Sequence, residues 1–281
     1  MTGAVMFGHV DGGFEMEFLV SLAEAGRRER IVERVREQLT GNPRTHTLYY
    51  SWRSLNASAW MWMLQEDDPE INAIVYAKGP RGVLRDEIRR GLPFGKACGP
   101  LHVVDKVRDD PEVRPEEVRF ADPAALEAAL RAVTTMKAAN KVALRVGRED
   151  WGTVVRADRN QPLPGYARWA LAMRPNCPDW ARAGFDTVPG FTKRMRRAGI
   201  FDSPLDLLLH GRWGRAALMV LHDGAVEFPS RPEARDPLRQ MVREQLGGNL
   251  NSWAWTAYLL PMWKGTVPEL LERARRESTG R

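Results

Sequence analysis

The sequence predicts an α/β fold, a single domain with a mostly parallel central sheet flanked by helices on both faces. Short apolar runs alternate with longer segments in which apolar residues recur at helical spacing. Strands separated by helices favour a parallel sheet that is covered on both faces. The chain has 281 residues, which is long enough to bury a sizeable core, and its 43% hydrophobic content is ordinary for a globular protein.

The predicted elements follow in order along the chain, within one domain that spans 1–281. The predicted helices cover 15–39, 82–92 and 122–139, and the third begins with Asp122 as N-cap and Pro123 in the first turn. We expect an inserted segment around 78–122 and a helical C-terminal extension around 232–281. The predicted strands are the short apolar runs 4–10, 45–52, 71–77, 101–107, 141–147 and 205–210.

Composition narrows the class of protein. No window approaches eighteen uninterrupted apolar residues, so we expect no membrane span, and the N-terminus lacks the pattern of a signal peptide. Cys98 and Cys177 lie far apart, which predicts neither a disulfide framework nor a zinc site. We expect a cytoplasmic protein. The net charge of +6, dominated by arginine, is compatible with nucleic acid, an acidic membrane surface or a phosphorylated substrate, although a GC-rich genome also explains excess arginine.

The first candidate site is the Asp-Gly-Gly stretch that follows the first predicted strand. In an open α/β sheet, ligands bind at the carboxyl ends of the strands. Gly12 and Gly13 would let a phosphate approach the amides at the start of a helix, and the carboxylate of Asp11 would hold a Mg²⁺ ion bridged to that phosphate. The structural alternative is that Asp11 caps the helix.

The second candidate site is the Gly-Arg-Trp-Gly-Arg stretch that follows the late strand 205–210. Arg212 and Arg215 would clamp a diphosphate, and an exposed basic turn is the alternative. His222 and Asp223 look like a turn, and we do not assign them a catalytic dyad. The chain has no G-x-S-x-G elbow, Walker P-loop or G-x-G-x-x-G fingerprint. Other polar residues at strand ends that we expect to bind diphosphate are Arg53, Arg148 and His210.

Tryptophan usage is high, with ten in the chain. Trp52, Trp60 and Trp62 fall in one stretch, and core packing is the favoured explanation because aromatic side chains are mostly buried. The functional alternative is an apolar pocket for a prenyl chain or an allylic carbocation. Single-stranded nucleic acid would instead require exposed aromatics interleaved with Lys and Arg. The tryptophans here are flanked by Leu, Met and Ala, so nucleic acid ranks lower.

Taken together, these stretches resemble the motifs of the cis-prenyltransferases, the undecaprenyl diphosphate synthase family. VDGGFE at 10–15 is similar to the family's Met-Asp-Gly-Asn-Gly-Arg-Trp, but lacks its asparagine and arginine. TLYYSW at 47–52 is similar to its Thr-Leu-Tyr-Ala-Phe-Ser. VGREDW at 146–151 and DLLLHGRWGR at 206–215 are similar to two later motifs, with His210 where the family has arginine.

The resemblance implies a function and roles for individual residues. Asp11 would bind the metal and activate the diphosphate, Glu227 would be a second Mg²⁺ ligand, and Arg212 with Arg215 would bind diphosphate. It also implies a homodimer with a hydrophobic tunnel. We therefore expect an enzyme that uses an isoprenyl diphosphate for prenyl transfer, short-chain condensation or terpene cyclisation. The alternatives are a non-catalytic structural partner of a prenyltransferase and a basic nucleic-acid-binding protein.

Overall fold

The computed structural model describes residues 14–40, 57–110, 118–186 and 190–280, and the regular structure in these ranges is helical. No residue in them belongs to a strand, so the prediction of an α/β fold with a parallel sheet is wrong. The predicted strand 71–77 lies inside a helix, as does 205–210, whereas 101–107 and 141–147 each combine a helical segment with irregular chain. The predicted strands at 4–10 and 45–52 lie outside the described residues.

The helices that replace the predicted strands are fixed by caps at their first turns. Before the run 71–77, Asp68 accepts hydrogen bonds from the backbone amides of Glu70 and Ile71, and Pro69 opens the helix. Before the run 205–210, Ser203 accepts from the amide of Asp206 at 3.1 Å, and a proline again opens the helix. Such caps satisfy amides that a helix leaves unbonded at its start, and they favour helix over strand in a short apolar run.

By its internal contacts the chain divides into two compact units, Met1–Ser54 with Phe201–Arg281, and Leu55–Ile200. The helices of unit 1 are α1 (Phe14–Ser21), α2 (Arg28–Thr40), α13 (Pro204–His210), α14 (Gly214–Glu227), α15 (Arg235–Gln245), α16 (Leu250–Leu259) and α17 (Val267–Thr279). In this unit α16 packs on α2 and α17, and α14 packs on α1, α13 and α17. The core of unit 1 includes fully buried Leu19, Ile31 and Trp253.

Unit 2 is an array of short helices. They are α3 (Ala57–Gln65), α4 (Pro69–Lys78), α5 (Val83–Arg89), α6 (Asp105–Arg108), α7 (Pro123–Arg131), α8 (Met136–Ala143), α9 (Trp151–Asn160), α10 (Gly165–Ala172), α11 (Asp179–Phe185) and α12 (Phe191–Arg197). In the C-terminal half of unit 2, α9 packs on α7 and α11, and α10 packs on α8 and α11. Their shared core includes Leu130, Trp151 and Phe185.

The structure is helical over most of the predicted helices 15–39 and 122–139, but each of them is interrupted. The segment 122–139 forms α7 and the start of α8, and the Asp122 carboxylate accepts from the amide of Ala125 at 2.8 Å, as the predicted cap requires. The segment 15–39 is interrupted after α1 by a turn of 3₁₀ helix at Ala25–Arg27. Among the described helices, none has the length and apolar content that crossing a bilayer requires.

Candidate functional site

Unit 1 contains a cavity of about 260 Å³ between α1, α2 and α14. Its apolar wall is formed by side chains that are buried in the fold, among them Met16 and Val20 of α1 and Val32 and Val35 of α2. The spacing of these residues by three or four positions places each pair on one face of its helix. The remaining lining residues are Glu17, Phe18, Ser21, Arg28 and His222.

His222, on α14, is an ionisable side chain in this lining. Its Nδ1 lies 2.9 Å from Oδ1 of Asp223, and its ring stacks on Phe14 and meets the edge of Phe18 at a centroid distance of 5.5 Å. Since the Asp223 carboxylate accepts from Nδ1–H, the Nε2 atom is left for a ligand. This hydrogen bond, with the negative charges of Asp223, Glu17 and Glu15, raises the pKa of His222, and partial burial opposes the rise only in part.

Arg28 supplies a second cation. Its Nη2 donates to the carbonyl of Ser21 at 2.6 Å and its Nε donates to the carbonyl of Ala23 at 3.1 Å. These bonds hold the guanidinium against the C-terminal end of α1, where carbonyl groups lack helical partners. The cavity thus combines apolar walls with a fixed arginine and a histidine that can gain or lose a proton at Nε2.

The structure places the predicted diphosphate loop at the junction of two helices. His210 ends α13, and its Nδ1 lies 2.8 Å from Oδ1 of Asp206 in the same helix. Arg212 is exposed, and Trp213 adopts a left-handed backbone conformation with φ of 65°. The amides of Trp213 and Gly214 donate to the carbonyls of Lys264 and Gly265, at 3.3 and 3.0 Å. Because these amides at the start of α14 already have acceptors, this turn is not arranged as a phosphate cradle.

Arg215 is bound to an acid in the interior of unit 1. Its Nε donates to Oε1 of Glu15 at 2.8 Å, and the two side chains are only 13% and 4% exposed. Glu227 is buried near the other end of α14, twelve residues further on. At about 1.5 Å of rise per residue, the two positions lie roughly 18 Å apart along the helix. The structure therefore does not bring Arg215 and Glu227 to one site.

Of the remaining residues predicted to bind metal or diphosphate, the structure describes Arg148 but not Asp11 and its neighbours. Arg148 lies in unit 2, where its amide donates to Glu87 and its Nη1 donates to the carbonyl of Pro93. Within the described ranges there is no group of three His, Cys, Asp or Glu side chains suited to a metal, so Glu227 has no described ligand set around it. Mg²⁺ stays a prediction that depends on Asp11. That residue lies outside the described part of the chain, as do Gly12, Gly13, Trp52 and Arg53.

Trp60 and Trp62, which the sequence predicts to line an apolar pocket, lie on α3 in unit 2. Trp62 is fully buried and Trp60 is 5% exposed, and every residue of this helix from Ser58 to Leu64 is buried. A helix that is apolar on all sides lies in an interior. Both side chains therefore contribute to packing in unit 2.

Unit 2 also contains a buried polar cluster around Glu87. Its carboxylate accepts from the backbone amide of Arg148 and from Nδ2 of Asn176, and burial raises its pKa. Burial also lowers the pKa of neighbouring Arg174 to about 10, although the charge of Glu87 opposes this shift. Nη1 of Arg174 donates to the carbonyl of Arg81 at 3.1 Å. These bonds join segments that are distant in sequence and stabilise the centre of unit 2.

Sequence reasoning missed the cavity and the roles of its two basic residues. His222 and Asp223 look like a turn in the sequence, yet both lie inside α14. The available signal was the helical spacing of Phe14 and Phe18, and of Val32 and Val35, which predicts one apolar face on each helix. The packing of those faces against His222 joins residues about two hundred positions apart, which no local pattern reports.

Comparisons with protein-family models, curated proteins and solved structures found no match for this chain. The resemblance to the cis-prenyltransferases thus stays a prediction from the sequence.

Proposed function

We propose that unit 1 binds a small amphiphile, with a branched apolar chain in the cavity and an anionic group at His222 and Arg28. An isoprenyl diphosphate, the ligand that the sequence predicts, belongs to this class. The observation that carries the proposal is the combination of an apolar wall with two basic side chains in one cavity. Ligand sites in proteins are typically apolar clefts with a few placed polar groups.

The size of the cavity favours a short chain. Its volume of about 260 Å³ lies just below the lower end of ligand pockets, about 300 Å³. A ten-carbon geranyl chain suits this space better than a long polyprenyl chain. Short-chain condensation or cyclisation therefore fits better than long-chain elongation, within the range of activities that the sequence predicts.

The charges favour an anion over a cation. Arg28 carries a permanent positive charge, and His222 adds a second one when it is protonated. Glu17 is the acidic residue of the described lining, and its charge raises the pKa of His222. An anionic group beside Nε2 of His222 would meet a hydrogen-bond donor held in place by Asp223.

The proposal is tested by calorimetric titration of the full chain with geranyl diphosphate. Val32→Phe is expected to weaken binding at least about tenfold, because the larger ring occupies the apolar space that the chain needs. Val226→Phe is the matched control, since Val226 is 79% exposed on α14 and should leave affinity unchanged. Geraniol, which lacks the anion, and inorganic diphosphate, which lacks the chain, should both bind more weakly.

Equal affinity in the two phenylalanine variants, with both folded by circular dichroism, would contradict this assignment. No binding of geranyl diphosphate to the unmodified protein would also overturn it. Diphosphate release measured in the same samples with Mg²⁺ separates the two functional hypotheses. Release supports an enzyme, whereas binding without release fits the non-catalytic alternative.

We expect affinity for an anionic amphiphile to fall as pH rises through the pKa of His222. That pKa is raised, so the imidazolium persists to a higher pH than in an ordinary histidine, and its charge is lost above that value. Octanesulfonate is a suitable probe because its own charge does not change in this range. Titrations from pH 5 to pH 9 should show the decrease, and His222→Gln should show a flat profile. A pH dependence that survives in His222→Gln would contradict the role of this residue.

A further inference from the structure

Unit 2 presents a surface of basic and aromatic side chains on α10 and α12. We call it the basic–aromatic face and define it by Tyr166, Trp169, Lys193, Arg194 and Arg197. None of these residues takes part in the cavity of unit 1.

The helix α12 has one buried side and one basic side. Phe191 and Met195, one turn apart, are buried, whereas Lys193, Arg194 and Arg197 are exposed. Those three side chains make no ion pair with any residue in the described ranges. By contrast, Arg182 on the preceding helix pairs with Asp179 at 3.0 Å. The charges of these three side chains are thus available to an external anion.

Aromatic rings lie beside this charge. The guanidinium of Arg194 lies over the ring of Trp169 on α10, 5.9 Å from its centroid. Tyr166 is three residues earlier on the same helix, a spacing that puts the two rings on one side of α10. Tyr166 is 51% exposed, so part of its ring faces solvent.

The segments of the chain that form this face contain no acidic residues. Neither 159–178 nor 187–201 contains an aspartate or a glutamate. The carboxylate that precedes α12 in the chain belongs to Asp186, which accepts a hydrogen bond from Thr192 at 3.1 Å. A stretch that lacks acids around exposed arginine and lysine gives a local positive potential, which attracts polyanions.

We propose that the basic–aromatic face binds single-stranded nucleic acid. Lys193, Arg194 and Arg197 would contact phosphates, and Tyr166 would stack on a base. Proteins that bind single strands combine basic grooves with aromatic side chains because each base has a face that can stack. A duplex is bound through its phosphates by the charges alone. A helix that binds a lipid surface needs exposed apolar side chains, and those of α12, Phe191 and Met195, are buried. The exposed tyrosine beside the Arg194–Trp169 stack therefore favours a single strand over either of them.

The test is fluorescence anisotropy of the full chain with a labelled single-stranded twelve-nucleotide probe over a series of salt concentrations. Lys193→Glu/Arg194→Glu/Arg197→Glu is expected to weaken binding by at least about tenfold. It should also lower the slope of log affinity against log salt by about two, since each phosphate contact on a single strand contributes about 0.7. The matched control is Arg30→Glu/Arg243→Glu/Arg275→Glu, which changes the net charge equally at exposed residues of unit 1.

Tyr166→Ala tests the stacking component. It is expected to weaken single-strand binding by about fivefold or more and to leave duplex binding unchanged. Equal losses in the two triple variants would reduce the effect to net charge and overturn the proposal. The proposal also fails if the probe does not bind at low salt, or if phosphatidylserine vesicles bind more tightly than the probe. It fails as well if Tyr166→Ala weakens binding to duplex DNA as much as binding to the single strand.

Discussion

Arg215→Met is expected to destabilise unit 1 by about 3 kcal/mol or more. In the native protein, Nε of Arg215 donates to Oε1 of Glu15 at 2.8 Å, and the carboxylate is almost completely buried. Removing the guanidinium leaves a negative charge in the interior without this partner, which costs much more than losing an exposed ion pair. The midpoint of urea unfolding, followed by circular dichroism, should fall clearly below that of the unmodified chain.

Two further variants distinguish a structural role of Arg215 in the buried ion pair from the diphosphate binding that the sequence predicts. Glu15→Leu combined with Arg215→Met replaces both charges by apolar groups and should recover most of the stability. Arg212→Met, at an exposed residue of the turn before α14 and three positions before Arg215, should change the unfolding free energy by less than about 0.5 kcal/mol. A stable Arg215→Met variant that instead loses affinity for diphosphate would contradict the structural role.

Trp62→Ala is expected to cost about 3–5 kcal/mol of unfolding free energy in unit 2. Trp62 is fully buried on α3, so the substitution removes a large apolar side chain and leaves a cavity. Trp180→Ala is the matched control because Trp180 is 55% exposed in the same unit, and its loss should have a small effect. Urea unfolding followed by circular dichroism measures both variants.

The result for Trp62 also separates the two interpretations of the tryptophan-rich stretch. A side chain that lines a ligand tunnel can be removed with little loss of stability, while a core side chain cannot. Unfolding free energies of Trp62→Ala and Trp180→Ala that agree within about 0.5 kcal/mol would contradict the core assignment.

Helix caps were the most reliable sequence signal, and apolar runs were the least reliable. Asp122 and Pro123 predicted the start of α7, and the structure confirms both positions. The apolar runs 71–77 and 205–210 predict strands by their pattern alone, although the Asp68–Pro69 and Ser203–Pro204 pairs before them are cap signals of the same kind. A short apolar run fits a buried strand and a buried helix equally well, so the capping residues decide between them.

The candidate site was harder to predict because its residues come from distant parts of the chain. Arg28 and His222, the two basic residues of the cavity, are separated by about 190 positions. The neighbouring residues His222 and Asp223 are adjacent in sequence, but only tertiary packing places the imidazole against Phe14 and Phe18. The basic residues of α12 are close together in the sequence, whereas the stack of Arg194 on Trp169 depends on the packing of two helices.

The division of unit 1 into two chain segments has a consequence for synthesis on the ribosome. The residues of unit 2 are contiguous, so its helices can pack as soon as they emerge. The helices α1 and α2 are made first, but their partners α14 and α16 follow only after residues 41–200 have been translated. At about 5–20 residues per second, this delay is on the order of ten seconds. During that interval the apolar side chains of Leu19 and Ile31 lack their final partners, so this segment of the nascent chain exposes apolar surface until α14 and α16 have been made.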